Sequence, residues 1–290
     1  MAGAGEALAL VSAVIWGTGT LMYRVALREL SPLELTFIRS ISASIFLVGV
    51  ALAFGSVPFG GLGSPDLALI ALSGVLLFLG DILYFRCVET IGIWIATPLS
   101  SVYPLFVTGI AYLFLGEGVT APQTMGIFLI VGGIMVLTFR SPPEEGKASS
   151  MSSSLFGLAA AFMWAISLVA IRAVLISEGL FVSTSSRGII IVILLLMIML
   201  TNGRMGRLRR IGLSRNVRYI SFVSGAWGIG LGGLLFFYSM EFIGTAKATA
   251  ISATYPLFAG FLGTLILGES LTAKKLAGAV LVVTGLVLLP

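Results

Sequence analysis

The chain has 290 residues, of which 58% are apolar or aromatic and only 10% are Asp, Glu, Lys or Arg, and its mean hydropathy is +1.11. Soluble domains carry about 25% charged residues, so this chain cannot cover a water-facing surface and the bilayer is its main solvent. The net charge of +5 sits mostly in loops between apolar runs, where it sets topology rather than contacting nucleic acid, and one cysteine with no histidine excludes an internal disulfide and any Cys/His metal site.

A spanning helix needs roughly 20 mostly apolar residues. Ten candidate spans follow in chain order, at 5–27, 32–54, 66–91, 94–116, 122–139, 154–176, 180–201, 217–242, 246–268 and 274–290. The first apolar run, Ala7 to Val25, lacks a basic segment before it and reads as a retained helix rather than a cleaved signal peptide. Turn chemistry marks the joints at Ser31-Pro32, Gly60-Gly61, Gly63-Ser64-Pro65 and Gly116-Glu117-Gly118. Thr120-Ala121-Pro122-Gln123 predicts a capping box opening span 5, and Thr272 caps span 10. The most polar stretch, residues 141–153, is the expected linker between a first unit at 1–140 and a second at 154–290.

The two units repeat. Trp16, Arg24 and Arg39 match Trp164, Arg172 and Arg187 at an offset of 148. Further on the offset becomes 152: Glu89, Gly92, Ala96 and Thr97 match Glu241, Gly244, Ala248 and Thr249, and Tyr103-Pro104-Leu105-Phe106 matches Tyr255-Pro256-Leu257-Phe258. Gly116-Glu117, Gly126 and Gly133 match Gly268-Glu269, Gly278 and Gly285. Five helices per unit is an odd number, so the second copy enters the membrane upside down relative to the first. The expected fold is therefore an all-α integral membrane protein, with ten transmembrane helices arranged as two inverted five-helix repeats. Inverted repeats are a transporter signature, with the substrate site at the repeat interface near the midplane.

At these residues the chain resembles the drug/metabolite transporter superfamily, in particular its ten-helix EamA-type members. The resemblance is carried by Trp16 and Trp164, Arg39 and Arg187, the doubled Tyr-Pro-Leu-Phe, and Leu115-Gly116-Glu117 with Leu267-Gly268-Glu269. It covers nearly the whole chain and implies a 5+5 inverted-repeat fold around a central cavity; in a transporter of this kind spans 1, 3, 4, 6, 8 and 9 are expected to line the site. It implies small-metabolite substrates of diverse kinds, amino acids among them, and fixes none.

Asp81 is the foremost site candidate. A carboxylate inside span 3 costs about 2.5–3.5 kcal/mol on insertion scales and needs a partner or water. Arg39, seven residues into span 2 and so roughly 10 Å deep, is the expected partner, with Glu34 competing for it. Asp81 has Gly233 at its matching position, so only the first unit carries the pair. It is either a substrate anchor and ion-coupling group or half of a structural ion pair. Arg39 and Arg187 either bind an anionic group or snorkel to the helix ends. Trp16 and Trp164 either line the central cavity or pack. Pro104 and Pro256 lack a backbone N–H and loosen spans 4 and 9, and with Tyr103 and Tyr255 they offer hydrogen-bonding groups at mid-depth. Glu117 and Glu269, at helix exits, are expected to cap or pair. Gly228-Ile229-Gly230-Leu231-Gly232-Gly233 formally matches a dinucleotide fingerprint, but it sits in an apolar span with no strand before it. The Ser224, Gly228, Gly232 spacing suits close helix packing instead.

The expected function is secondary transport, in the export direction, of a small metabolite such as an amino acid, by alternating access at the repeat interface in the plasma membrane. The alternative is an accessory or scaffold subunit of a membrane complex. An enzyme is not expected: there is no histidine, and Asp81 is the one carboxylate well inside a span. No cofactor or metal is expected. The expected partners are a small-molecule substrate and the lipid bilayer, without nucleic acid, and homo-oligomerisation is left open. Of the 17 basic residues, 13 fall in the loops after spans 1, 3, 5, 7 and 9 and 2 on the other face, which places both termini outside by charge; the resemblance implies the opposite orientation.

Overall fold

The computed structural model describes residues 3–91, 99–138, 151–210, 212–267 and 273–289. Residues 141–150 of the expected linker, Gly92, Glu269 and the expected cap at Thr272 lie outside the described residues. The elements are helices α1 (Ala4–Ala26), α2 (Pro32–Ala53), α3 (Ser64–Ile91), α4 (Tyr103–Leu115), α5 (Ala121–Thr138), α6 (Met151–Glu178), α7 (Leu180–Thr201), α8 (Arg204–Arg210) and α9 (Arg215–Ser224), then a π-helical stretch (Gly225–Gly232), then α10 (Gly233–Ser252), α11 (Tyr255–Leu267) and α12 (Ala273–Val287). Among the described residues, six segments are long and apolar enough to cross a membrane: Ala4–Tyr23, Pro32–Ala53, Ser64–Tyr84, Ser154–Glu178, Leu180–Thr201 and Arg215–Ser252. Tyr103–Leu115, Ala121–Val136 and Leu276–Val287 are shorter apolar helices.

The helix starts follow local chemistry. Gln123 Oε1 accepts the Thr120 backbone N–H at 3.0 Å, and the Thr120 hydroxyl accepts the Gln123 N–H at 3.5 Å, which is the expected capping box. A second box opens α2, where Glu34 accepts both the Ser31 N–H (2.8 Å) and the Ser31 hydroxyl (2.7 Å). Pro104 falls in the first turn of α4, and Pro256 holds the same place in α11. Both helices are preceded by a turn, at Ser101-Val102 and at Ala253-Thr254. The prolines therefore start helices, where a missing N–H costs nothing, and do not loosen the middle of spans 4 and 9 as the sequence suggested.

Two departures from regular helix lie in the second half. The stretch rich in glycine from Gly225 to Gly232 is π-helical, a geometry that recurs at functional sites. Within α10, Gly244 has φ 76° and ψ 168°. That backbone belongs to glycine, and it splits α10 into helical runs over 233–243 and 245–252.

Packing pairs the helices across the chain. α3 lies along α6 and α1 along α10; α2 packs on α7 and on the π-helical stretch, and α5 on α12; α4 touches α6, and α1 touches α11. The largest apolar cluster gathers Ala9, Val107, Ile130, Ala161, Ala250 and Val282. The α5–α12 crossing is tight enough that a Cβ on Gly126 would lie 2.7 Å from the Gly285 carbonyl, and one on Gly133 2.7 Å from the Gly278 carbonyl. Such close approach supplies van der Waals contact where lipid offers no hydrophobic driving force. Hydroxyl groups inside also bond across helices. The Ser73 hydroxyl donates to the Ser167 carbonyl at 2.8 Å and the Ser167 hydroxyl to the Ser73 carbonyl at 2.7 Å, stitching α3 to α6. Large side chains such as Leu113, Phe114, Phe128 and Leu265 point outward, as a lipid-facing surface requires.

The two ends of the bundle carry different polar ties. At one end Glu117 accepts the Thr245 N–H (2.6 Å) and hydroxyl (2.8 Å) and lies 3.4 Å from Arg172 Nε, while Lys247 pairs with Glu6 at 3.2 Å. Glu117 thus caps the helical run that follows Gly244, the structural role its sequence position implied. At the other end Arg204 donates to the Ser31 hydroxyl (3.2 Å), Arg207 lies 3.7 Å from the fully buried Glu34, and the Ser214 N–H donates to Glu29 (2.9 Å), holding that exposed carboxyl below the usual carboxylate range.

Candidate functional site

Two tryptophans from different halves of the chain sit in corresponding aromatic cages. Trp164 of α6 packs on Tyr84 of α3 (ring centroids 5.5 Å apart, tilted 48°) and meets Tyr103 of α4 edge-on at 6.4 Å. Trp16 of α1 packs on Phe236 of α10 (5.1 Å, 56°) and meets Tyr255 of α11 edge-on, also at 6.4 Å. Tyr84 and Phe236 correspond at the offset of 152, as do Tyr103 and Tyr255. Each indole comes close to its partner helix because a glycine stands beside it. A Cβ on Gly80 would fall 2.5 Å from Trp164 Cδ1, and one on the corresponding Gly232 2.9 Å from Trp16 Nε1.

The cages differ in their acceptor. Trp164 Nε1 donates to Asp81 Oδ1 at 3.0 Å, whereas Trp16 Nε1 donates to the Gly228 backbone carbonyl at 2.9 Å. Position 233, matching Asp81, is glycine, so the second cage draws its acceptor from the π-helical backbone. The carboxylate makes the first cage chemically distinct: it can receive a cation from ring faces and an anion together.

The arginines flank this centre. Arg39 Nη2 donates to the Tyr23 hydroxyl at 2.6 Å, and its guanidinium lies 3.8 Å from the Tyr23 ring centroid. Arg187, 7% exposed, donates to the Ser167 hydroxyl at 2.9 Å and stands 5.6 Å from the Phe237 ring. Both are within electrostatic reach of Asp81, and the Nε of each is buried without a hydrogen-bond partner. The expected Arg39–Asp81 ion pair is not formed among the described residues: Asp81 takes its hydrogen bond from Trp164, and Glu34 serves the α2 start and Arg207 rather than Arg39. Depth arithmetic along two helices fixes height in the membrane but not direction around the helix, which is why Tyr23 was missed as the partner of Arg39. Tyr84 was missed too, although it corresponds to an aromatic residue, Phe236. Of the residues singled out from sequence, Trp16, Asp81, Tyr103, Trp164 and Tyr255 meet in or beside the cages. Arg39 and Arg187 flank them, and Pro104 and Pro256 set the starts of α4 and α11.

A cavity of about 280 Å³ reaches Asp81 from the end that carries α8, between α2, α3 and α7; Phe78, Ile82, Arg86, Ile198 and Arg204 are among its walls. A more open groove of about 530 Å³ lies at the opposite end, beside Glu6, Gln123 and Lys247.

Apolar spans packed around an aromatic and charged interior define a multi-pass membrane protein that handles small molecules. The profile of the EamA-like transporter family matches this chain twice, over residues 3–139 and 151–289. The chain belongs to the EamA-like transporter family and is a transporter, not an enzyme. It is 24% identical to an uncharacterized transporter of Archaeoglobus fulgidus, over 97% of this chain and 96% of that one. It is 27% identical to a protein of Salmonella typhimurium named a probable amino-acid metabolite efflux pump, over 96% of this chain and 92% of that one. An uncharacterized protein of Methanocaldococcus jannaschii is 30% identical over 131 residues, which cover 45% of this chain but 93% of the relative. A solved crystal structure shares the fold with a TM-score of 0.77 at 16% identity, covering 98% of this chain and 97% of its own.

Proposed function

We propose that this protein is a secondary transporter that exports an amino acid or related small metabolite across the plasma membrane by alternating access. The site would lie between two inverted five-helix repeats, residues 1–140 and 154–290, joined by a linker at 141–153. The observation that carries this reading is the exchange of tryptophans: each half sends its Trp into a cage built by the other, so moving the halves apart at one end must reshape both cages. Supporting the repeat are the reciprocal pairings of α1 with α10 and α3 with α6, the doubled family match, and the relative that is about half as long and matches along nearly its whole length. Supporting the substrate class are the name of the Salmonella typhimurium relative and an interior that offers the Asp81 carboxylate, the Arg39 and Arg187 guanidiniums and an aromatic lining. The excess of Lys and Arg at the end bearing α8 argues that this end is cytoplasmic, which would let the cavity at Asp81 load from the cell interior.

The test is metabolite profiling of cells expressing the protein against cells expressing an Arg39→Ala, Asp81→Ala double variant at matched levels. A small set of amino-acid-like compounds leaving the cell only with the wild type supports export. No change across a wide panel, together with a stable copurifying partner, would favour an accessory subunit instead.

A further inference from the structure

We propose that the cavity between α2, α3 and α7 is a vestibule that selects zwitterions, seating an ammonium group on Asp81 and a carboxylate against Arg86 and Arg204. The inference rests on the transporter reading above and narrows it to a substrate class and a loading site that adjoins the Trp164 cage through Asp81. At about 280 Å³ the cavity lies at the small end of ligand pockets, roughly 300–1,000 Å³, so it suits a compact solute and excludes nucleotide-sized ones.

Charge varies along the cavity. At its inner end Asp81 uses Oδ1 for the Trp164 indole and has no cation at ion-pair distance among the described residues. Arg39 and Arg187, the cations within electrostatic reach, give their hydrogen bonds to Tyr23 and Ser167. The middle is apolar, walled by Phe78, Ile82 and Ile198. The outer part is cationic. Arg86 stands five residues beyond Asp81 on α3, about 7.5 Å along the axis, and is exposed, while Arg204 is steered toward the cavity by its bond to Ser31 (3.2 Å).

This order discriminates by repulsion as well as attraction. A simple amine is attracted to Asp81 but must pass two guanidiniums. A simple carboxylate is drawn to those guanidiniums but meets the Asp81 carboxylate at the inner end. A zwitterion satisfies both ends, and an apolar side chain suits the middle.

The test uses the full-length protein in phosphatidylcholine vesicles, with radiolabelled leucine counterflow competed by leucine, by its decarboxylated analogue isoamylamine and by its deaminated analogue isocaproate. On the wild type, leucine should compete roughly ten-fold better than either analogue. Asp81→Asn should let isocaproate compete as well as leucine, and Arg86→Gln with Arg204→Gln should let isoamylamine do so. Variants that weaken all three probes equally, or leave their ranking unchanged, would overturn the assignment. Wild-type movement of a singly charged probe in preference to leucine would also overturn it while leaving transport intact; no movement of any probe, with no compound found by profiling, would remove the export reading itself. Repeating the assay with phosphatidylethanolamine should leave the ranking unchanged. If that lipid suppresses leucine competition in the wild type but not in Asp81→Asn, the cavity holds a lipid headgroup and the proposal fails.

Discussion

Trp164 donates its indole proton to the Asp81 carboxylate at 3.0 Å, while the corresponding Trp16 donates to a backbone carbonyl, that of Gly228, at 2.9 Å. Trp164→Phe and Trp16→Phe should therefore differ. The first leaves a carboxylate inside the membrane without its donor, a loss of about 1–3 kcal/mol. The second leaves a carbonyl that still accepts the Gly233 N–H within the π-helical stretch, and should cost clearly less. Thermal unfolding of the two variants in detergent compares them; equal midpoints would contradict the different acceptors.

Asp81→Asn keeps the size of the side chain and an oxygen for Trp164, so the fold should survive. The groups facing Asp81 are Trp164 on α6, Arg39 on α2, Arg187 on α7 and, around the cavity, Arg86 and Arg204. Asp81 is the one carboxylate among these groups. Protonation removes the anion that would hold an ammonium group, so wild-type transport should fall as the loading side is acidified. Asp81→Asn should give a lower rate with a flat pH profile. An unchanged profile would remove Asp81 from ion coupling.

Much of this was legible in the sequence, and the gaps have physical causes. The doubled motifs located Trp16, Trp164, Tyr103 and Tyr255 because a repeat is a property of order along the chain. Asp81 stood out because an isolated carboxylate in a span is costly. Its partner could not be read, since Trp164 is 83 residues away and only packing decides which face of α3 meets α6. The π-helical stretch was equally hidden. The glycines of that segment announce close approach, which Gly232 provides against Trp16 and Gly225 against the Arg39 backbone, but they do not reveal that the backbone takes i→i+5 bonds. Pro104 and Pro256 read as kinks because a proline inside an apolar run has that effect; the turns that place them at helix starts come from tertiary structure.

Glu117 is predicted to hold the end of the bundle opposite α8. It caps the run over 245–252 through Thr245 and approaches Arg172 on α6. Glu117→Ala removes these contacts and should speed amide exchange across 245–252, at a cost of about 1.5–3 kcal/mol. Glu117→Gln keeps an acceptor for Thr245 and should have roughly half that effect. Hydrogen exchange read by mass spectrometry checks both; protection unchanged in Glu117→Ala would mean that Gly244 sets the break without help from the carboxylate.

The α5–α12 crossing gives a prediction with its own control. Gly126 and Gly132 lie on one helix, but a Cβ on Gly126 would meet the Gly285 carbonyl at 2.7 Å and Leu289 Cδ2 at 3.2 Å, while one on Gly132 would meet nothing within 4 Å. The Gly285 carbonyl is backbone and cannot rotate aside, so Gly126→Ala must push the helices apart, a cost of about 1–3 kcal/mol for overpacking. Gly132→Ala adds a methyl in open space and relieves the helix of a poor former, worth up to about 1 kcal/mol in the opposite direction. The two substitutions are chemically identical and six residues apart, so helix propensity and hydrophobicity cancel in their comparison and the crossing alone separates them. The unfolding midpoint should fall for Gly126→Ala and hold or rise for Gly132→Ala. Equal shifts would show that α5 and α12 do not meet at Gly126, and the pairing that ties the two halves along this edge would have to be withdrawn.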